Sequence, residues 1–164
     1  MTGLRPRLLF LAPVMPASTG NGLAMRGWSF LEAYGRGHDI HLVVVELFGH
    51  VPVSGEVRRL CRRGELVAPA RPPWRLSPAR AALPSPCRRL PRRGAAAIAT
   101  GPGPWDAVHV QRLYMTPVLD DLAGWRDAPL VLDLDEIDSL SFARLAELHA
   151  RRGEPWRAWS HRRD

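Results

Sequence analysis

The sequence predicts an α/β fold in which a parallel sheet carries helices on both faces. Three observations predict it. Leu8-Leu9-Phe10-Leu11 and Ile40 to Val45 are short continuous apolar runs, as expected of strands covered on both sides in a parallel sheet. Helical spacings alternate with such runs along the chain, which favours crossover connections over hairpins. The 164 residues are 46% hydrophobic, enough for one domain with a core, and neither a repeat period nor a hydrophobic shortage marks a fibrous or unfolded chain.

Leu8 to Leu11 is read as the first strand. Arg5 and Arg7 before Leu8 to Val14 imitate a secretory leader, but Pro13 and Pro16 interrupt the apolar run, and the chain is expected to be cytoplasmic. Ala24, Trp28 and Leu31 recur at helical spacing, with Gly35 and Gly37 closing the helix in the manner of C-terminal glycines. The β-branched run Ile40 to Val45 is the second strand. Ser54 is placed to cap a short helix holding Val57, Leu60 and Cys61, and Leu66-Val67 to form a brief third strand.

Residues 69–104 hold nine of the sixteen prolines and read as a loop-rich insertion, with Ser77-Pro78 and Ser85-Pro86 suited to first helical turns. Strand character returns at Ala107 to Val110. A helix opening at Thr116-Pro117 runs through Val118, Leu119 and Leu122, Pro129 to Leu134 gives a further strand, and a helix follows from about Leu140 to Arg152. Pro155 to Asp164 ends without a cap, as if inside a helix, so the chain is expected to be a piece of something longer.

The net charge of +7 is uneven: residues 58–93 carry eleven arginines against Glu65 alone, a local balance of +10. All 23 basic residues are arginine, so the count reflects a chain-wide bias as well as any one contact. Cys61 and Cys87 show no metal-ligand spacing and are read as buried thiols. No stretch approaches the ~20 apolar residues that cross a bilayer.

Ligands of open parallel sheets gather at the carboxyl ends of the strands, so the loops there are the candidate sites. The first is Met15 to Gly22, MPASTGNG, where Gly20, Asn21 and Gly22 let backbone N–H groups approach an anion at a helix start. Gly20-x-Gly22 followed by Glu46 at the end of the second strand also suits a nicotinamide dinucleotide. Met25, however, stands where a third small residue belongs.

The string RLLFLAPVMPASTGNGLAMRGWSFLEAYGRGHDIHLVVV resembles the opening of a family-four glycosyltransferase of the GT-B fold, and WDAVHVQRLYMTPVLDDL and PLVLDLDEIDS resemble later strand ends of the same domain. The resemblance covers nearly the whole chain outside 69–104. It implies a Rossmann-like acceptor-side domain spanning 1–164, the N-terminal half of the fold, with a C-terminal donor domain absent. The implied reaction is retaining transfer from a nucleotide-sugar donor to a sugar or lipid-linked acceptor, with no metal or cofactor needed. Gly20, Asn21 and Gly22 would face the donor phosphates and the acceptor, Arg26 would support that loop or an anion, and the isolated chain would be inactive. In the family a histidine near the fourth strand end contacts the transferred sugar. Here Gln111 takes that position, and glutamine cannot accept a proton at neutral pH. His109 is the neighbouring candidate, with a half-buried strand residue as its plain alternative.

Asp133, Asp135, Glu136 and Asp138 crowd the last strand end. Asp133 and Asp135 share a face, a geometry that divalent cations favour, but Ile137 occupies a ligand position of the calcium-loop pattern, and no metal is assigned. Binding of acceptor hydroxyls, capping of the next helix, and pairing with Arg112 or Arg144 are the other readings. The arginine-rich stretch reads as a solvated face or as a peripheral contact with an anionic membrane surface. With Trp74 its one aromatic residue, it lacks the interleaving expected for nucleic acid. A nucleotide- or NAD-binding oxidoreductase domain and an arginine-rich membrane or nucleic-acid adaptor are the alternative functions.

Overall fold

The computed structural model describes residues 4–47, 49–67, 90, 104–134 and 138–163. Five strands, β1 (Arg7–Ala12), β2 (Asp39–Val45), β3 (Cys61–Val67), β4 (Ala107–Gln111) and β5 (Leu130–Asp133), form one sheet in the order β3-β2-β1-β4-β5. Every pairing is parallel, for example Leu8 with Ile40 on one side and with Ala107 on the other. This is the α/β, Rossmann-like arrangement that the apolar runs predict.

Successive residues of β1 point to opposite faces, so one strand supplies two cores. Leu8, Phe10 and Ala12 pack with Leu31 of α1 (Gly22–Gly35) and Val57 of α2 (Gly55–Leu60). Leu9 and Leu11 pack on the other face with Trp105, Leu90 and the Met115, Val118 and Leu119 side chains of a 3₁₀ helix (Leu113–Asp121). Each fully buried leucine or phenylalanine contributes about 1.5–3 kcal/mol, which makes β1 the densest source of stability in the chain. Two further helices, α3 (Asp138–Arg151) and α4 (Pro155–Arg163), pack on each other across a turn in which Gly153 has φ +69°. Among the described residues no helix is long and apolar enough to cross a membrane.

Three local expectations are corrected. α1 does end at Gly35, but through Arg36 in a right-handed conformation, and neither Gly35 nor Gly37 is left-handed. Gly35 serves packing instead, since a Cβ there would lie 3.2 Å from Leu60 Cδ2. Cys61 belongs not to α2 but to β3, which begins where the helix stops and runs seven residues. Burial pushes its thiol up to about 12, so the residue is an inert core group. The helix expected from Thr116 starts at Leu113 and is 3₁₀ in type. Pro117 lies inside it without an N–H, and Thr116 Oγ1 donates back to the Leu113 carbonyl at 2.9 Å rather than capping a helix start. Cys87 and both Ser-Pro pairs of the 69–104 insertion lie outside the described residues.

Leu31 has no exposed surface and sits between α1 and the sheet, so Leu31→Ala is expected to cost about 2–5 kcal/mol, against less than about 0.5 kcal/mol for Leu4→Ala at the exposed start. Urea unfolding followed by circular dichroism measures both.

Candidate functional site

With β1 flanked by β2 and β4, the chain leaves the carboxyl end of β1 on one side and that of β4 on the other. The gap between those exits is where a sheet of this order opens a crevice. The bend after β1 enters it. Pro13, Met15 and Pro16 are buried and anchor its first part, whereas Ser18 to Gly22 stand exposed. Gly20 adopts φ +115°, a conformation that only glycine reaches without strain. Neither Gly20 nor Gly22 has an atom within 4 Å of where a Cβ would be, so the tip looks into open space.

Asn21 has a structural duty: its Oδ1 accepts from Ala24 N at 2.8 Å and so caps α1. Asn21 O accepts from Met25 N at 3.1 Å. The N–H groups of Gly22 and Leu23 are then left without an acceptor among the described residues, at the positive end of a 14-residue helix. Two open amides and a helix dipole can hold one anionic oxygen or a pair of hydroxyl oxygens.

One turn along α1, Arg26 reaches across to the end of β5. Its Nε and Nη2 donate to the two Asp133 oxygens at 2.8 and 2.6 Å, a bidentate pair. Asp133 is almost wholly buried, while the Arg26 side chain keeps 44% of its surface exposed and rests 5.4 Å over the Phe30 ring. Pairing with Arg112 or Arg144, expected for these acids, is replaced at Asp133 by this longer-range partner. Asp135 and Glu136 lie outside the described residues.

Gln111 and His109 lie one layer beneath. Both have no exposed surface. Gln111 Nε2 donates to the Leu23 carbonyl at 3.0 Å, and its Oε1 would lie 3.2 Å from a Cβ placed on Gly27, so glycine at 27 lets α1 settle onto the strand end. His109 sits edge-on to Phe10 and Phe30, at 4.8 and 4.4 Å between ring centres, with Nδ1 3.0 Å from the Tyr34 hydroxyl. Burial pushes its pKa down to about 4, the Arg26 charge acting in the same direction and Asp133 against it. Burial, then Asp133, raises the Tyr34 pKa, so the hydroxyl keeps its proton and donates it to Nδ1. The imidazole proton is then on Nε2, which is buried without a hydrogen-bond acceptor. In this conformation neither side chain presents an atom to the crevice; both hold α1 against the sheet.

Arg112, the next residue, has φ +79° and ψ 135°, the one described non-glycine residue with positive φ. Its N–H donates to the Asp133 carbonyl at 3.0 Å and its carbonyl accepts from Met115 N at 3.1 Å, which pins the turn. Such a conformation costs about 1–3 kcal/mol and tends to mark functional strand ends.

Of the residues singled out from sequence, Arg26, Gln111 and Asp133 converge around the start of α1, with His109 behind them and the Gly20 to Gly22 bend at the mouth. Tyr34, Phe30, Gly27 and the Arg112 backbone were missed. Arg26, Phe30 and Tyr34 recur every four residues on one helical face, a spacing that could have revealed the first two. Among the described residues no group of three His, Cys, Asp or Glu side chains could hold a metal ion. No protein-family model, no curated protein and no solved structure matches the chain.

Removing Arg26 leaves a buried carboxylate unpaired. Arg26→Gln is expected to cost about 2 kcal/mol, below the about 3–5 kcal/mol of a fully buried pair because the guanidinium is half exposed, and Arg26→Lys should recover only part of it. In a double-mutant cycle with Asp133→Asn, a coupling below about 0.5 kcal/mol would refute the clamp.

His109 is neutral in the fold, whereas the unfolded chain protonates it near its ordinary value of 6.5. Stability is therefore fully present above pH ~6.5 and falls as pH drops toward ~4. His109→Gln should flatten that part of the profile in urea titrations, and an unchanged difference between the two proteins across the window would show that the histidine is not held neutral.

Proposed function

We propose that this chain is the acceptor-side half of a two-domain glycosyltransferase, performing retaining transfer of a sugar from a nucleotide-linked donor. The observation that carries the reading is the exposed bend from Ser18 to Gly22, with two unclaimed amides at the start of α1, at the carboxyl edge where β1 and β4 part. The motif strings quoted from the sequence fall on that bend and on the two strand ends that face it.

In this reading the Gly22 and Leu23 amides meet a donor phosphate or acceptor hydroxyl, and each hydrogen bond to a charged oxygen contributes about 1.5–3 kcal/mol. The Arg26–Asp133 pair forms the crevice wall. Gln111 and His109 act as positioning residues for α1, consistent with their burial. The bend carries no base-recognising group, so nucleotide selection and most donor affinity belong to a second domain. The exposed apolar side chains of Leu130 and Val131 on the edge strand, 46% and 47% accessible, support a surface that further structure covers. A cytoplasmic setting, with peripheral contact to an anionic membrane through the arginine-rich stretch, belongs to the same proposal.

A second reading, a dinucleotide-binding oxidoreductase domain, is favoured by one observation: Glu46 directly follows β2, where an acid would bind ribose. Against it, Glu46 Oε1 is engaged by His50 Nδ1 at 2.7 Å, and the loop from Pro13 to Asn21 is long for a pyrophosphate turn.

Amide NMR titrations separate the two. A nucleotide sugar at millimolar concentration should shift the Ser18 to Leu23 amides and give no transfer with this chain alone. Tight NAD(H) binding, or turnover by the isolated chain, would overturn the proposal.

A further inference from the structure

The amino ends of the strands, at the rim opposite the glycine bend, surround a second concavity. Residues before β1, the starts of β2 and β3, and the approach to β4 line a half-open cavity of about 630 Å³. Six residues of β1 at about 3.3 Å each put it ~20 Å from the bend. Arg5, Arg7, Arg62 and His41 line it together with Asp39 and Asp106.

The geometry of these groups favours an anion. Arg7 is fixed in place: its guanidinium lies 4.6 Å over the Trp105 ring and its Nη1 donates to the Pro104 carbonyl at 3.2 Å. Asp106 Oδ2 accepts from the Arg7 backbone N–H at 2.7 Å, and three arginines against Asp39 and Asp106 leave the lining one positive charge in excess. Asp39 Oδ2 holds Arg62 Nη1 at 2.7 Å, while the Arg62 side chain is 68% exposed and can turn its other donors inward. Arg5 Nη1 makes only a long contact, 3.4 Å to the Gly35 carbonyl. His41 stands edge-on to Trp105 at 4.9 Å between ring centres, and its Nδ1 is buried without a hydrogen-bond partner.

We propose that this cavity binds a phosphate-bearing group, with Arg5, Arg7 and Arg62 as guanidinium donors and His41 as a further donor once protonated. The volume lies within the range of small-ligand sites, and a planar fork already stacked on an indole matches phosphate oxygens with little ordering left to lose. The site is independent of the bend at the other rim and of the reaction proposed there.

A proton should accompany the anion. Burial, then Arg7, Arg63 and Arg62, hold the His41 pKa below its ordinary value, and Asp39 opposes them. The charged groups that act on the ring lie on every neighbouring element, Arg7 on β1, Asp39 on β2, and Arg62 and Arg63 on β3, with Asp106 at the approach to β4. A bound anion offsets the arginine field, so His41 gains a proton on binding and affinity rises as pH falls.

Inorganic pyrophosphate is the first probe. Calorimetry on the full chain should show one saturable site, weakened about tenfold or more in the Arg5→Gln/Arg62→Gln double variant and tightened severalfold by Asp39→Asn, which removes an opposing charge and loosens its hold on Arg62. Sulfate keeps its charge between about pH 5.5 and pH 8 and should bind more tightly at the lower value, with the His41 ring signals moving on binding. Vesicles containing about 30 mol% phosphatidic acid identify the source. Binding that the double variant loses and pyrophosphate displaces assigns a lipid headgroup, whereas pyrophosphate binding without vesicle binding assigns a soluble phosphate compound. No saturation by about 10 mM pyrophosphate, or equal affinity in wild type, the double variant and Asp39→Asn, overturns the site.

Discussion

The bidentate contact between Arg26 and Asp133 ties the first helix to the last strand of the sheet across 107 residues of sequence. Without it α1 would be held over the strand ends by apolar contact and by the hydrogen bonds of Gln111 to Leu23 and of Tyr34 to His109. Its position gives it two consequences. It fixes the direction in which the start of α1 points, and it places the Asp133 carboxylate in a nearly closed setting, where that group raises the Tyr34 pKa and pulls against the desolvation of His109. The orientation of the open amides at Gly22 and Leu23 therefore depends on this pair, whereas the neutral state of the histidine beneath them comes from burial.

The polar layer under α1 is ordered by how well each group is satisfied. Gln111 spends its amide on Leu23, His109 Nδ1 accepts a hydrogen bond from the Tyr34 hydroxyl, and Gln111 Oε1 and His109 Nε2 are buried without a partner. Unmet buried atoms are costly, at about 1–3 kcal/mol each, and around the imidazole Phe10, Phe30 and Tyr34 pack edge-on. This region resembles the supporting layer of a binding site more than the reacting layer itself.

The strands were legible because buried parallel strands have a distinctive composition: Leu8 to Leu11 and Ile40 to Val45 admit few other readings. Ser54 as a cap was legible for the same local reason, and its Oγ does accept from Val57 N at 3.2 Å. What escaped depends on contacts distant in sequence. Cys61 enters a strand because Ile40 pairs with it, not because of its neighbours. The depth of His109 is set by the aromatic residues of α1 and that of Gln111 by Leu23 and Gly27, and the turn at Arg112 is fixed by a carbonyl 21 residues away. The glycine bend was placed correctly by spacing, but Asn21 had to be seen in three dimensions before its capping role could be told from a ligand role.

The pairing of β1 with β4 carries a consequence for how the chain assembles. Leu8 meets Ala107 directly, so the centre of the sheet closes a loop of nearly a hundred residues, within which Leu90 packs into the core. Closure of so long a loop slows the search for the native sheet, yet its entropic cost grows only logarithmically, by about 0.6 kcal/mol for each doubling of length. By that measure a change in the length of the connection costs little loop entropy, while the two strands that frame the crevice keep their register.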